Sequence, residues 1–238
     1  MDHAIAGFTM TGRRANNEDA LFTSAELCVV ADGMGGYEGG EVASRLTVST
    51  MAEFLERNRR DPEGTWPIKP RRERSWNENV LDAAVVAAHR AILERRQGPL
   101  AQMGSTVVAA LVSGSRLTVA HVGDSRCYRL RAGTLSAMTE DHSLWAELSK
   151  AGQVGERSDF PFRNQITRAL GIADNFGVSV TTHEVLPGDR WLLCSDGLYD
   201  PLSDRALLDG LSLPIDRMAQ LAFDAGGTDN ITCVVLTF

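Results

Sequence analysis

The chain has 238 residues, a formal net charge of −7 and 43% hydrophobic residues, the profile of a folded protein able to bury its own core. The acidic balance makes wholesale nucleic-acid binding a poor default and mainly favours solubility. No apolar run approaches the length of a membrane span, segment 1–25 lacks the basic and apolar regions of a signal peptide, and Cys28, Cys127, Cys194 and Cys233 form no CxxC pair, so buried free thiols in a cytoplasmic protein are expected.

Strands are predicted over 4–11 and 27–31, after which Asp32-Gly33-Met34-Gly35-Gly36 breaks regular structure, because glycine admits backbone angles other residues avoid. Segment 41–57 has helical spacing, with Ala43, Leu46, Thr47, Thr50, Met51 and Phe54 on one face. Segment 58–75 changes character: Pro62, Pro67, Pro70 and Trp66 stand among Arg59, Arg60, Lys69, Arg71, Arg72 and Arg74. It reads as a surface connection between two helices, with a docking patch for an acidic partner as the sharper alternative. Over 77–96, Val80, Ala84, Ala88 and Ile92 recur every four residues, an apolar stripe that needs covering.

Strands follow at 106–112, 116–122 and 126–130, separated by Ser113-Gly114-Ser115 and Gly123-Asp124-Ser125 and followed by Ala132-Gly133; these are repeated hairpin signals. Segment 142–150 reads as a short helix and 151–163 as polar and irregular. Strands at 178–185 and 190–194 meet at Pro187-Gly188-Asp189, short helices cover 204–211 and 215–225, and 231–238 closes the chain as a strand. Hairpins in series with two long amphipathic helices define an α+β protein: two central antiparallel β-sheets between layers of α-helices, α-β-β-α.

The aspartates mark strand ends. Asp32, Asp124 and Asp196 each sit at or just past an apolar strand beside a glycine, and Asp229 lies in Gly226-Gly227-Thr228-Asp229-Asn230 before the last strand. A single such residue is a turn former; several converging carboxylates make an all-oxygen site suited to Mg²⁺ or Mn²⁺, and no His/Cys spacing for zinc competes. Two such ions generate a nucleophile from water for in-line attack on phosphorus. Arg14 is the cation for the phosphoryl oxygens, since guanidinium matches phosphate bidentately.

The segments that carry a resemblance are Arg14-x-x-Asn17-Glu18-Asp19, Val30-Ala31-Asp32-Gly33-Met34-Gly35-Gly36, Gly104-Ser105-Thr106, His121-Val122-Gly123-Asp124-Ser125-Arg126, Thr139-Glu140-Asp141-His142-Ser143, Ile166-Thr167-Arg168-Ala169-Leu170-Gly171, Leu193-Cys194-Ser195-Asp196-Gly197-Leu198 and Asp229-Asn230-Ile231-Thr232. In this order they resemble the metal-dependent protein phosphatases (PPM, or protein phosphatase 2C, family) in compact bacterial form, over nearly the whole chain. The resemblance implies the two-sheet fold, one catalytic domain over 1–238 and a flap over about 143–163. It implies that Asp32 bridges two Mn²⁺ or Mg²⁺ ions, that the Gly33 backbone carbonyl binds one, and that Asp196 and Asp229 complete the pair. Glu18 would act through water, and Asp124 with Asp196 would hold a third ion. Arg14 would clamp the substrate phosphate, with Asp19 and Asn230 in support. Where many eukaryotic relatives have a histidine, this chain has Met34, so leaving-group protonation falls to no named side chain. A metal-bound water is one answer and His142 a weaker one.

The expected activity is hydrolysis of phosphoserine and phosphothreonine in proteins, reversing a cognate Ser/Thr kinase, by a monomer without nucleic-acid or membrane partners. The alternative is a pseudophosphatase, a regulatory phosphoprotein-binding module on the same fold.

Overall fold

The computed structural model describes residues 2–36, 38–62, 64–172 and 176–238. The chain opens with strands β1 (Ala4–Met10), β2 (Asp19–Thr23) and β3 (Leu27–Met34), followed by the long helices α1 (Gly39–Arg60) and α2 (Trp76–Arg95). Next come β4 (Gly104–Ser105), β5 (Val107–Ser113), β6 (Arg116–Val122), β7 (Arg126–Arg131) and β8 (Thr134–Ala137), then α3 (Leu144–Lys150). The chain ends with β9 (Ser179–Glu184), β10 (Arg190–Cys194), α4 (Asp196–Tyr199), α5 (Asp204–Gly210), α6 (Ile215–Asp224) and β11 (Ile231–Thr237). Among the described residues one sheet runs β1-β11-β10-β7-β8 and the other β2-β3-β5-β6-β9, with β4 on β3; every pairing is antiparallel. The α+β sandwich read from the sequence is the observed architecture.

Three apolar layers hold it. In β3, Leu27 and Val29 face α1 and α2, while Cys28 and Val30 face the other sheet. In β10, Trp191 and Leu193 point between the sheets and Leu192 and Cys194 toward the helices α4, α5 and α6. Central strands are therefore apolar on both faces. Each buried Leu or Val side chain contributes about 1.5–3 kcal/mol. All four cysteines are free and buried, as expected. No helix among the described residues is long and apolar enough to cross a membrane.

Several expectations need correcting. Strand β3 does not stop before Asp32; it runs to Met34 because Gly33 and Met34 pair with Ser105 and Gly104. Strand β2 and helix α4 went unpredicted, each being too short for a periodic signal. The turns at Gly123-Asp124-Ser125 and Pro187-Gly188-Asp189 do not close hairpins: β6 and β7 lie in different sheets, as do β9 and β10. Helix α1 extends to Arg60 and so takes the first residues of the presumed loop 58–75. In the remainder of that loop, Arg74 and Arg71 pair with the buried Asp82, and Trp66 packs edge-on against Phe54. Much of the segment is structural, not a free basic patch. Helix α2 starts at a capping box, where the Ser75 side chain accepts from the Glu78 N–H and Glu78 accepts from the Ser75 N–H.

Candidate metal site

The sheet register brings the first two carboxylates together: Asp19 on β2 lies opposite Asp32 on β3. Asp32 is fixed by its backbone. Its N–H donates to Thr106 Oγ1 at 3.1 Å, and its carbonyl accepts from Thr106 N–H at 2.8 Å and Ser105 Oγ at 3.1 Å. Thr106 Oγ1 also bonds Ser125 Oγ at 2.7 Å, which ties Asp32 to the corner carrying Asp124. Gly33 lets α1 press against β3, since a Cβ there would stand 1.9 Å from the Gly40 carbonyl oxygen. Glu18 sits in the same crevice, its carbonyl accepting from Gly33 N–H at 3.1 Å.

The other half of the site comes from the second sheet. Asp196 opens α4 directly after β10, and Ser195 before it donates to Asp19 Oδ2 at 2.7 Å. Gly197 permits α4 to meet the segment before β11, because a Cβ would lie 2.0 Å from the Asn230 carbonyl oxygen. Asn230 binds the loop ahead of β2 with its whole side chain: Oδ1 accepts from Glu18 N–H at 2.8 Å, and Nδ2 donates to the carbonyls of Thr11 and Asn16 at 2.9 and 2.8 Å. Asp229 accepts from Asn230 N–H through Oδ1 at 2.8 Å and from Arg14 Nη2 through Oδ2 at 2.7 Å. Arg14 Nε donates to the Thr228 carbonyl at 3.1 Å. Arg14 is thus held on Asp229 at the rim.

The electrostatics are those of carboxylates short of cations. Burial, then the charges of Asp19, Asp196, Asp124 and Asp229, holds Asp32 well above the usual carboxylate range. Burial followed by Asp124 and Asp229 does the same to Asp196. Burial pushes Asp19 up to about 6 despite hydrogen bonds from Ser195 and Thr232, and pushes Asp124 up to about 6 as well. Burial also raises Glu18. Asp196 Oδ1 is buried with no hydrogen-bond partner, an expensive condition for a carboxylate oxygen. Among the described residues no three acidic, histidine or cysteine side chains close into a ready-made cage. The donor set nevertheless fits a hard divalent cation: all oxygen, mutually repelling, with an orphaned buried ligand atom. The sequence-predicted Glu18, Asp19, Asp32, Asp124, Asp196, Asp229, Asn230 and Arg14 are all gathered in this region.

Sequence reasoning passed over Thr106, Ser195 and Tyr199. Thr106 and Ser195 stand in the motifs quoted above and Tyr199 directly follows one, but a hydroxyl carries no sign of its partner until the strands are paired. Tyr199 donates to the Asp124 carbonyl at 3.0 Å, and Arg126, bidentate on Asp141 at 2.8 and 2.7 Å, lies 3.7 Å from the Tyr199 ring centroid. His142 is no acid for a leaving group. Its Nδ1 accepts from Gly123 N–H at 3.1 Å, so the proton sits on Nε2 and is donated to Ser179 Oγ at 3.0 Å. Burial, with His121 and Arg168 nearby, holds its pKa down to about 3. His121 stacks on it with centroids 4.5 Å apart and bonds the Glu140 carbonyl at 2.9 Å, a satisfied core role.

A four-layer α-β-β-α sandwich with a pocket of buried carboxylates drawn from both sheets is the class of protein that these features define. A family model described as protein phosphatase 2C matches residues 7–231, and the chain belongs to that family. It is 39% identical over 231 residues to the serine/threonine protein phosphatase PstP of Mycobacterium tuberculosis, covering 93% of this chain but 42% of that protein's length. The serine/threonine phosphatase stp of Listeria welshimeri is 31% identical over 236 residues, with 94% of this chain and 90% of that one covered. A crystal structure of the PstP catalytic domain in complex with two manganese ions superposes with a TM-score of 0.83 at 36% identity, over 99% of this chain and 97% of that one.

Proposed function

We propose that this chain is a divalent-metal-dependent phosphatase acting on phosphoserine and phosphothreonine in proteins. The observation that carries the reading is the buried, unpartnered Asp196 Oδ1 among carboxylates that raise one another's pKa. Asp32, the Gly33 carbonyl, Asp196 and Asp229 would hold two Mn²⁺ or Mg²⁺ ions, with Glu18 acting through water and Asp124 joining Asp196 at a third. The chemistry such ions supply is acidification of water to a nucleophile and neutralisation of phosphoryl charge. Thr106 and Ser105 hold the Asp32 backbone, while Asn230 fixes Glu18 and Asp229 relative to each other. Arg14 binds the substrate phosphate: its side chain is 55% exposed at the rim, and its planar fork suits two phosphoryl oxygens. With both nitrogens of His142 engaged, that residue does not supply the leaving-group proton, and water at the pocket mouth would.

The mouth is a cavity of about 520 Å³ lined in part by Arg157, Arg163, Asp196, Asp200 and Asp229, wide enough for a phosphorylated side chain. Segment 143–163 is its flap, and 1–238 is one catalytic domain. The partners are phosphoproteins and a cognate Ser/Thr kinase, and the working form is a cytoplasmic monomer. The intact acid set supports this reading over a regulatory pseudophosphatase. Hydrolysis of a phosphothreonine peptide should require Mn²⁺ or Mg²⁺, stop with EDTA and collapse in Asp196→Asn. Folded protein inert with every divalent ion would favour the binding-module reading.

A further inference from the structure

The loop 151–165 faces solvent along most of its length, with one polar side chain turned inward. Arg157, in a short 3₁₀ turn (Arg157–Asp159), has a side chain only 20% exposed and pairs with Asp200 at 2.6 Å. Its guanidinium carbon lies 5.8 Å from the Tyr199 ring centroid, the ring that Arg126 also approaches. Two guanidinium groups beside one ring repel each other. Here each is neutralised by its own carboxylate, Asp141 for Arg126 and Asp200 for Arg157, so the ring can receive both.

The far end of this contact is the metal site. Tyr199 and Asp200 belong to the same helical turn as Asp196, with Asp200 N–H donating to the Asp196 carbonyl at 2.8 Å, and the Tyr199 hydroxyl holds the Asp124 carbonyl. The rest of the loop is held chiefly by short-range bonds: Gly152 N–H donates to the Ser149 carbonyl, Phe160 N–H to the Arg157 carbonyl and Trp145 Nε1 to the Gly155 carbonyl, while Gly152 and Gly155 have open space where a side chain would be.

We infer that Arg157 is a positioning residue that latches the flap onto Tyr199 and Asp200, holding the phosphoprotein-facing wall of the pocket in register with Asp196 and Asp124. The inference deepens the phosphatase reading and rests on it for its kinetic half. A long substrate needs the flap in place, because it contacts that wall; a small phosphate ester reaching only the ions and Arg14 does not.

The test pairs hydrogen–deuterium exchange over 151–165 with steady-state kinetics for wild type, Arg157→Gln and Arg157→Lys. Arg157→Gln should raise exchange in 151–165 by about tenfold, raise KM for a phosphothreonine peptide by about tenfold, and lower kcat/KM for para-nitrophenyl phosphate by a clearly smaller factor, about threefold or less. Arg157→Lys keeps the ion pair but loses the guanidinium beside the Tyr199 ring, so it should recover part of both effects. Unchanged exchange in Arg157→Gln overturns the latch. Equal losses on the peptide and the small ester overturn the positioning role, since Arg157 would then act at the reacting group. If wild type turns over neither substrate with any divalent ion, the phosphatase reading fails, while the exchange arm still decides whether the latch exists.

Discussion

Asp19 and Asp124, on the floor of the acidic pocket, are 7% and 5% exposed, whereas the side chains of Arg14 and Asp229 on its rim are 55% and 36% exposed. The floor is organised by buried hydroxyls: Ser195 on Asp19, Thr106 on Asp32 and Ser125, Tyr199 on Asp124. At the rim, Arg14 is held by the open ion pair with Asp229 and a bond to the Thr228 carbonyl. Buried hydrogen bonds are costly to break and exposed ion pairs are worth little. The floor therefore holds mutually repelling carboxylates in a fixed geometry, while the exposed rim is free to rearrange.

The largest effect should come from the floor. Asp196→Asn should cut phosphopeptide turnover by on the order of 10³-fold, as loss of several kcal/mol of metal-derived stabilisation implies. The same variant should melt at or above the wild-type temperature without metal, since it removes one of the repelling charges. A coincident loss of activity and metal-free stability would break the picture of a strained floor.

Thr106→Val comes next. It removes the acceptor for Asp32 N–H and the partner of Ser125 Oγ, and should destabilise the fold by about 1–3 kcal/mol while weakening Mn²⁺ binding by about tenfold or more in calorimetry. Unaltered metal affinity would mean that the Asp32 backbone is held by the sheet alone.

Slightly smaller is a pH effect beside the floor. His142 has a folded pKa of about 3, below its unfolded value of about 6.5. The unfolded chain therefore binds the extra proton first, and stability is fully present above the unfolded pKa and lost as pH falls below it. Between pH 6.5 and 5 this amounts to about 2 kcal/mol. Denaturant melts at the two pH values should show that slope in wild type and a shallower one in His142→Asn; parallel slopes would remove His142 as the cause.

The rim should give the smallest structural effect. Arg14→Ala should change stability by no more than about 0.5 kcal/mol and yet raise KM for the phosphopeptide by about tenfold. A large stability loss would show that the Arg14–Asp229 pair belongs to the floor's class of contact after all.

What the sequence determined by itself was local. The apolar run 27–31 and the four-residue repeat of Val80, Ala84, Ala88 and Ile92 announced buried strand and helix, and the aspartates beside Gly33, Gly123 and Gly197 announced carboxylates at strand ends. These signals survive because periodicity and turn chemistry act over a few residues. The tertiary structure decided which sheet each strand joins. A Gly-Asp-Ser turn looks the same whether the chain folds back beside β6 or crosses to the other sheet, and strands buried on both faces carry no polar face to tell the two apart. That choice is what places Asp124 beside Asp196 and Ser195 against Asp19, and what turns Arg157 from one of many surface arginines into a side chain paired with Asp200 beside the Tyr199 ring, because long-range burial, not local propensity, selects those partners.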